Sequence, residues 1–135
     1  MTLYVDSSAF LKRYIEEPDS ELAEDLLRSD PDWVSAAHTE VEVRRNLARL
    51  LSAGPLLKAR EFFVKDWERT AVVALDPTTC RRAVQIAETT LARSLAALHL
   101  AAAERVLASP NRLRLITFDR RLADAARILG IAVVP

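Results

Sequence analysis

Short apolar runs alternate along this chain with longer segments whose apolar residues recur at helical spacing. Leu3, Tyr4 and Val5 form an apolar run that meets Asp6, and Ser7 and Ser8 then open a helix over 7–17 that Pro18 ends. Asp19 or Ser20 caps a second helix through residue 27, and Pro31 breaks the chain. Residues 33–36 read as a short buried strand, followed by a long helix over 38–53 that Gly54-Pro55 terminates and a further helix over 56–69. The run AVVAL at 71–75 is a strand stopped by Asp76-Pro77, with helices over 77–92 and 94–108 behind it. Residues 113–117 supply a fourth strand. A helix then starts at Asp119 and ends at Gly130, and IAVV closes the pattern as a last strand.

Strands separated by helices predict an α/β fold, with a central parallel sheet of four to five strands flanked by helices on both faces. With 135 residues and no repeat, low-complexity tract or linker, residues 1–135 are expected to form a single domain. A chain of this size buries roughly two-thirds of its unfolded surface, so no disulfide or structural metal is needed for folding.

Composition removes several function classes. Nineteen Lys and Arg balance nineteen Asp and Glu, so nucleic acid would have to be held by a local basic patch rather than by net charge. Two glycines, Gly54 and Gly130, cannot build a Walker loop or a dinucleotide fingerprint. The single cysteine, Cys80, forms no intrachain disulfide, and no Cys/His cluster with zinc spacing occurs. That cysteine usage makes a reducing, cytoplasmic setting the expectation, and no run approaches the roughly 20 apolar residues of a membrane span, which predicts a soluble protein without membrane association.

Candidate chemistry starts at Asp6 and Asp119, which share one context: LYVD before a helix and LITFD before a helix. Each is a natural helix N-cap. Both would also stand at the carboxyl edge of a parallel sheet, where ligands collect, and two carboxylates there repel unless a cation holds them. On the helix HTEVEVRRNLARLL, Val43, Leu47 and Leu50 define the buried stripe, which puts Glu42 on its flank, one turn before Asn46. A solvated glutamate is the alternative reading of Glu42. Glu40 lies nearer the stripe and is explained by an ion pair with Arg44, four residues on. His99, in an alanine-rich helix, reads as a packed, hydrogen-bonded histidine, and His38 as local structure at a helix start. Trp33 and Trp67 read as core or interface, and Cys80 as a small helix residue without a base partner. Ser7 and Ser8 cap a helix or bind a metal-held water. The arginine pairs Arg44-Arg45 and Arg120-Arg121 are solvated surface or, if they border a cleft, phosphate contacts.

Four segments in order resemble the PIN-domain ribonucleases, and among them the VapC-type toxins of bacterial toxin-antitoxin pairs: VDSSAFLKRYIEEP, VEVRRNLARL, SLAALHLAAA and LITFDRRLADAARILGIAVVP. The resemblance spans nearly the whole chain and implies a three-layer PIN-like domain. It selects Glu42 over Glu40, because Val43 and Leu47 then fall on the family's apolar positions, and it places Asp6 and Asp119 on the first and last acidic positions. One departure stands out. Ala96 occupies a position at which the family carries an aspartate facing the metal site. A natural loss of the acid and a deliberate Asp-to-Ala change are both open, and the second is our working hypothesis. Alanine is the best helix former, so the fold is expected to survive it.

The resemblance implies cleavage of RNA phosphodiester bonds assisted by Mg²⁺ or Mn²⁺, with Asp6 as principal ligand and Glu42 and Asp119 binding directly or through water. It further implies a cognate antitoxin that inserts a basic peptide into the acidic cleft, and a homodimer. With Ala96 in place of an acid, weak metal occupancy and little nuclease activity are expected. A catalytically silent PIN-like module that only binds a protein partner is the alternative. A haloacid-dehalogenase-type phosphatase ranks below both, because Ser8 stands where that class places a second aspartate.

Overall fold

Strand β1 (Thr2–Val5) is buried along its whole length because it lies at the centre of a parallel sheet with a neighbour on each side. The computed structural model describes residues 1–107 and 112–135. Its sheet has the order β3-β2-β1-β4-β5, formed with β2 (Trp33–Ala36), β3 (Ala71–Val73), β4 (Leu113–Ile116) and β5 (Ala132–Val134). All pairings are parallel. The connecting helices are α1 (Ser7–Tyr14), α2 (Ser20–Arg28), α3 (His38–Leu50), α4 (Ala53–Glu68), α5 (Pro77–Thr90), α6 (Ser94–Leu107) and α7 (Arg120–Ile128).

Side chains alternate across β1 and divide the core in two. Tyr4 points into a cluster with Val34, Leu115, Ile86, Leu100 and Leu122, built by α5, α6 and α7. Leu3 and Val5 point into the other, with Phe10, Trp33, Val43, Leu47 and Phe63, built by α1, α3 and α4. Helices thus cover both faces, as the alternating pattern predicts. Ala101, Ala102 and Ala103 of α6 are fully buried, and their small side chains let that helix lie close to the sheet.

Several boundaries differ from the sequence reading. The break between α3 and α4 falls at Leu51 and Ser52, both extended, and Gly54 and Pro55 lie inside the first turn of α4. Proline is tolerated there because first-turn N–H groups have no intrahelical partner. Leu50 is 49% exposed, so Leu47 closes the stripe and the last turn of α3 runs past the core. Helix α1 stops at Tyr14, where Ile15 turns extended, and α5 stops at Thr90, where Leu91 is left-handed at φ 60°. Ala108, the expected end of the α6 helix, lies outside the described residues. Among the described residues no helix is long and apolar enough to cross a membrane.

Candidate active site

The register Val5↔Ile116 sets the next residues of the two strands, Asp6 and Thr117, side by side at the carboxyl edge of the sheet. Asp6 caps α1 through a 2.9 Å bond from the Ala9 N–H to Oδ1, and only 2% of it is exposed. The Ser8 hydroxyl lies 2.7 and 2.9 Å from its two oxygens, and the Thr117 hydroxyl donates to Oδ2. The end of β4 is tied to the same cluster: Phe118 N–H donates to Ser8 Oγ at 2.8 Å and Asp119 N–H to Thr117 Oγ1 at 3.0 Å. Burial pushes the Asp6 carboxyl above its ordinary value, and the opposing effects of His99, Thr117, Ala9 and Ser8 do not cancel it. A carboxylate offers about four lone-pair directions and these donors supply three protons, so Asp6 retains room for one more electron-pair acceptor.

Asp119 is also a cap, accepting from Arg121 N–H at 3.0 Å and Leu122 N–H at 3.3 Å through Oδ1. Capping therefore occupies one oxygen of an exposed carboxylate. Both aspartates thus serve as the helix caps that their sequence context predicts.

Glu42 stands on α3 beside buried Val43, with its side chain 20% exposed. Its Oε1 meets His99 Nε2 at 2.7 Å and lies 3.6 Å from His38 Nε2. His99 Nδ1 in turn meets the buried Tyr4 hydroxyl at 2.7 Å. Burial pushes the Glu42 carboxyl up, but the His99 hydrogen bond and charge, then His38 and Ser7, outweigh it and hold the group below its ordinary value. The Tyr4 phenol is pushed well up by burial and by the charges of Asp6 and Glu42. Burial and the neighbouring His99 push His38 down to about 4. Glu40 faces away, 3.8 Å from Arg44, in the ion pair that its spacing predicts.

Ala96 lies on α6 three residues before His99, half-buried against the core. A cavity of about 430 Å³ brings it together with Asp119, Arg93, Arg121 and Asp124. Arg120, Arg44 and Arg45 are exposed. A larger cavity of about 710 Å³ lies against Arg13, Tyr14, Glu24 and Lys58 and contains none of the candidate acids.

The reading of His99 as a packed, hydrogen-bonded histidine holds, but its partners give it a place beside Glu42 that sequence spacing does not reveal. Glu42 lies 57 residues away and Tyr4 95. The only local signal is His38, four residues before Glu42 on the same helix face. Among the described residues, His38, Glu42 and His99 are a group whose ligand-capable atoms all lie within 4.8 Å of one another.

Comparison with known families matches residues 3–128 to the PIN domain. The chain belongs to the PIN-domain family. Among PIN proteins it is 34% identical over 135 residues to Ribonuclease VapC46 of Mycobacterium tuberculosis, covering 98% of this chain and 95% of that one. The PIN fold of this chain superposes on FitAcB from Neisseria gonorrhoeae with a TM-score of 0.77 at 20% identity, covering 98% and 96% of the two chains. A toxin-antitoxin complex from Klebsiella pneumoniae gives a TM-score of 0.74 at 18% identity, covering 100% and 97%. These two likenesses concern the fold.

Proposed function

We propose that this PIN-domain chain is a soluble, cytoplasmic endoribonuclease of the VapC kind, dependent on Mg²⁺ or Mn²⁺, with residues 1–135 as its single domain and a role as toxin of a type II toxin-antitoxin pair. The relationship to a ribonuclease over nearly the full length of both chains carries the reading. Asp6 supports a divalent cation as a desolvated carboxylate with a lone-pair direction to spare, and the Asp119 backbone N–H is tied to the same edge through Thr117. Oxygen donors of this kind suit hard cations. When bound, the cation supplies Lewis acidity toward a phosphoryl oxygen and lowers the pKa of an attacking water.

In this reading Asp6, Glu42 and Asp119 hold the cation, directly or through water, and do the catalytic work. Thr117 and Ser8 orient the Asp6 carboxylate, and His99 orients Glu42. Arg93 and Arg121, on the cavity that Asp119 lines, hold the RNA backbone. Ala96, on the same cavity, contributes no oxygen where the family pattern calls for one, which weakens metal occupancy and leaves the chain with little activity. A cognate antitoxin blocks the cleft with a basic segment, and two copies of the chain pair as a homodimer.

The test compares RNA cleavage in Mg²⁺ and in Mn²⁺ by this chain and by Ala96→Asp. Cleavage that rises in the variant and disappears again when Asp6→Ala is added is the expected result. If both proteins fold and neither cuts, the nuclease reading is wrong. Ala96 specifically favours one other reading, a silent PIN-like module that binds a protein partner, and that reading gains if Ala96→Asp stays inactive while an antitoxin still binds.

A further inference from the structure

The imidazoles of His38 and His99 and the carboxylate of Glu42 converge at one point where helices α3 and α6 meet. We infer that these three side chains form a two-histidine, one-carboxylate site for a transition-metal ion of the zinc class, so that this cluster, unlike the oxygens of Asp6 and Asp119, favours such ions over Mg²⁺. The inference takes from the nuclease reading only that Glu42 faces the metal pocket, and adds two nitrogen donors to it.

The spacing suits a small tetrahedral ion. Ligands about 2.0–2.1 Å from a tetrahedral centre lie about 3.3–3.4 Å from one another. The Glu42–His99 separation of 2.7 Å and the Glu42–His38 separation of 3.6 Å bracket that edge, and all three ligand atoms lie within 4.8 Å of one another. The support behind the first ligand is already built. Tyr4 Oη lies 2.7 Å from His99 Nδ1. Without an ion the Nε2–H donates to Glu42 and Nδ1 accepts from the Tyr4 hydroxyl. When an ion takes Nε2, its proton passes to Nδ1 and the hydroxyl turns to accept it. A buried partner on the far nitrogen is the usual means of fixing the tautomer of a metal-bound histidine.

His38 is the adjustable member. Its Nε2 lies 3.2 Å from the Leu95 carbonyl, while its Nδ1 is buried without a partner among the described residues. Only the Nε2–H side of the ring is hydrogen-bonded, so ligation through Nε2 gives up the Leu95 bond and moves that proton to Nδ1. Two imidazoles with one carboxylate are a donor set for Zn²⁺, Co²⁺ or Ni²⁺, whereas Mg²⁺ calls for oxygen ligands and retained waters. Ala96, one helical turn before His99, withholds an oxygen on the same helix and shifts the balance of donors further toward nitrogen.

The experiment uses the whole chain, stripped with EDTA and titrated with Co²⁺, then with Zn²⁺ in competition, and separately with Mg²⁺. We expect the visible absorption of four-coordinate cobalt to saturate at one ion per chain, to be displaced by Zn²⁺ and to be untouched by millimolar Mg²⁺. His38→Asn and His99→Gln should each weaken Zn²⁺ binding about tenfold or more, and Glu40→Gln should leave it unchanged. His38→Asn decides alone if His99→Gln fails to fold by circular dichroism. Absence of the cobalt spectrum, or Zn²⁺ affinity unmoved by His38→Asn, overturns the site. Nuclease activity of Ala96→Asp in Mg²⁺ without Zn²⁺ binding would remove this inference and keep the nuclease reading. Zn²⁺ binding with no cleavage by Ala96→Asp would do the reverse.

Discussion

The imidazole of His99 and the carboxylate of Glu42 meet at 2.7 Å although 57 residues separate them in the chain. Their contact latches α6 to α3 at the carboxyl edge of the sheet, and the Tyr4 hydroxyl on the other ring nitrogen extends the latch to β1. Three elements that carry candidate site residues are therefore held by one hydrogen-bonded chain, whose stability and titration are open to measurement.

Tyr4→Phe keeps the edge-on ring contact with His99, centred 5.8 Å away, and removes only the hydroxyl. His99 Nδ1 is then buried without a partner. A loss of roughly 1–3 kcal/mol is expected, the usual cost of stranding a buried polar group. Urea denaturation measures it, and a loss below about 0.5 kcal/mol would mean that water replaces the hydroxyl.

Acid should weaken the fold through His38. Its folded value is about 4 against an ordinary 6.5, so between these values the unfolded chain holds more protons. The stabilising contribution is complete above pH 6.5 and is lost as pH falls toward 4; the interval would be worth about 3 kcal/mol in full, and solvent screening of the half-buried ring reduces it to on the order of 1 kcal/mol. Glu42, held below its ordinary 4.5, adds a loss that begins under that value. His38→Asn should flatten the upper window and, because His99 is the larger influence on Glu42, only narrow the lower one, as read from melting temperature against pH.

Thr117→Val preserves shape but removes both the hydroxyl donor to Asp6 and the acceptor for the Asp119 N–H. The Asp6 carboxyl should move further up, because one of the bonds favouring its charged form is gone. A destabilisation of about 1–3 kcal/mol is expected at neutral pH, shrinking in acid where Asp6 is protonated in any case. Carboxyl-carbon NMR follows the titration, and an unmoved Asp6 resonance would contradict the assigned bond.

Where α4 meets α1, Asp66 is 5% exposed and accepts from Arg13 at 2.7 and 3.2 Å and from the Tyr14 hydroxyl at 2.6 Å. Asp66→Ala strands that guanidinium, with Glu24 at 2.6 Å as its remaining partner. Breaking a buried pair from one side costs roughly 3–5 kcal/mol, and Glu24 should keep the loss near the lower figure. Adding Glu24→Ala should deepen it by more than Glu24→Ala costs alone, a coupling that a double-mutant cycle reports.

Much of the fold was legible in the linear pattern. Apolar runs marked the strands, and Asp6, Asp76 and Asp119 stood at helix starts where they do cap. The α3–α4 break was misplaced because Gly54-Pro55 is a strong stop signal that serves equally well in a first helical turn. Leu50 matched the buried stripe in period but lies beyond the core it was meant to face. His99 was recognised as a buried hydrogen-bonding residue, while the identity of its partner was out of reach.

By itself the sequence determined the order of strands and helices and the two aspartates at strand ends, because periodicity, capping and turn chemistry act over a few residues. Only the tertiary structure decided that Thr117 would clasp Asp6 across 111 residues and that Tyr4, Glu42 and His99 would share one hydrogen-bonded line. Those pairings follow from strand order β2-β1-β4 and from the helices laid against it, and no local spacing encodes which distant polar groups folding will strip of water together.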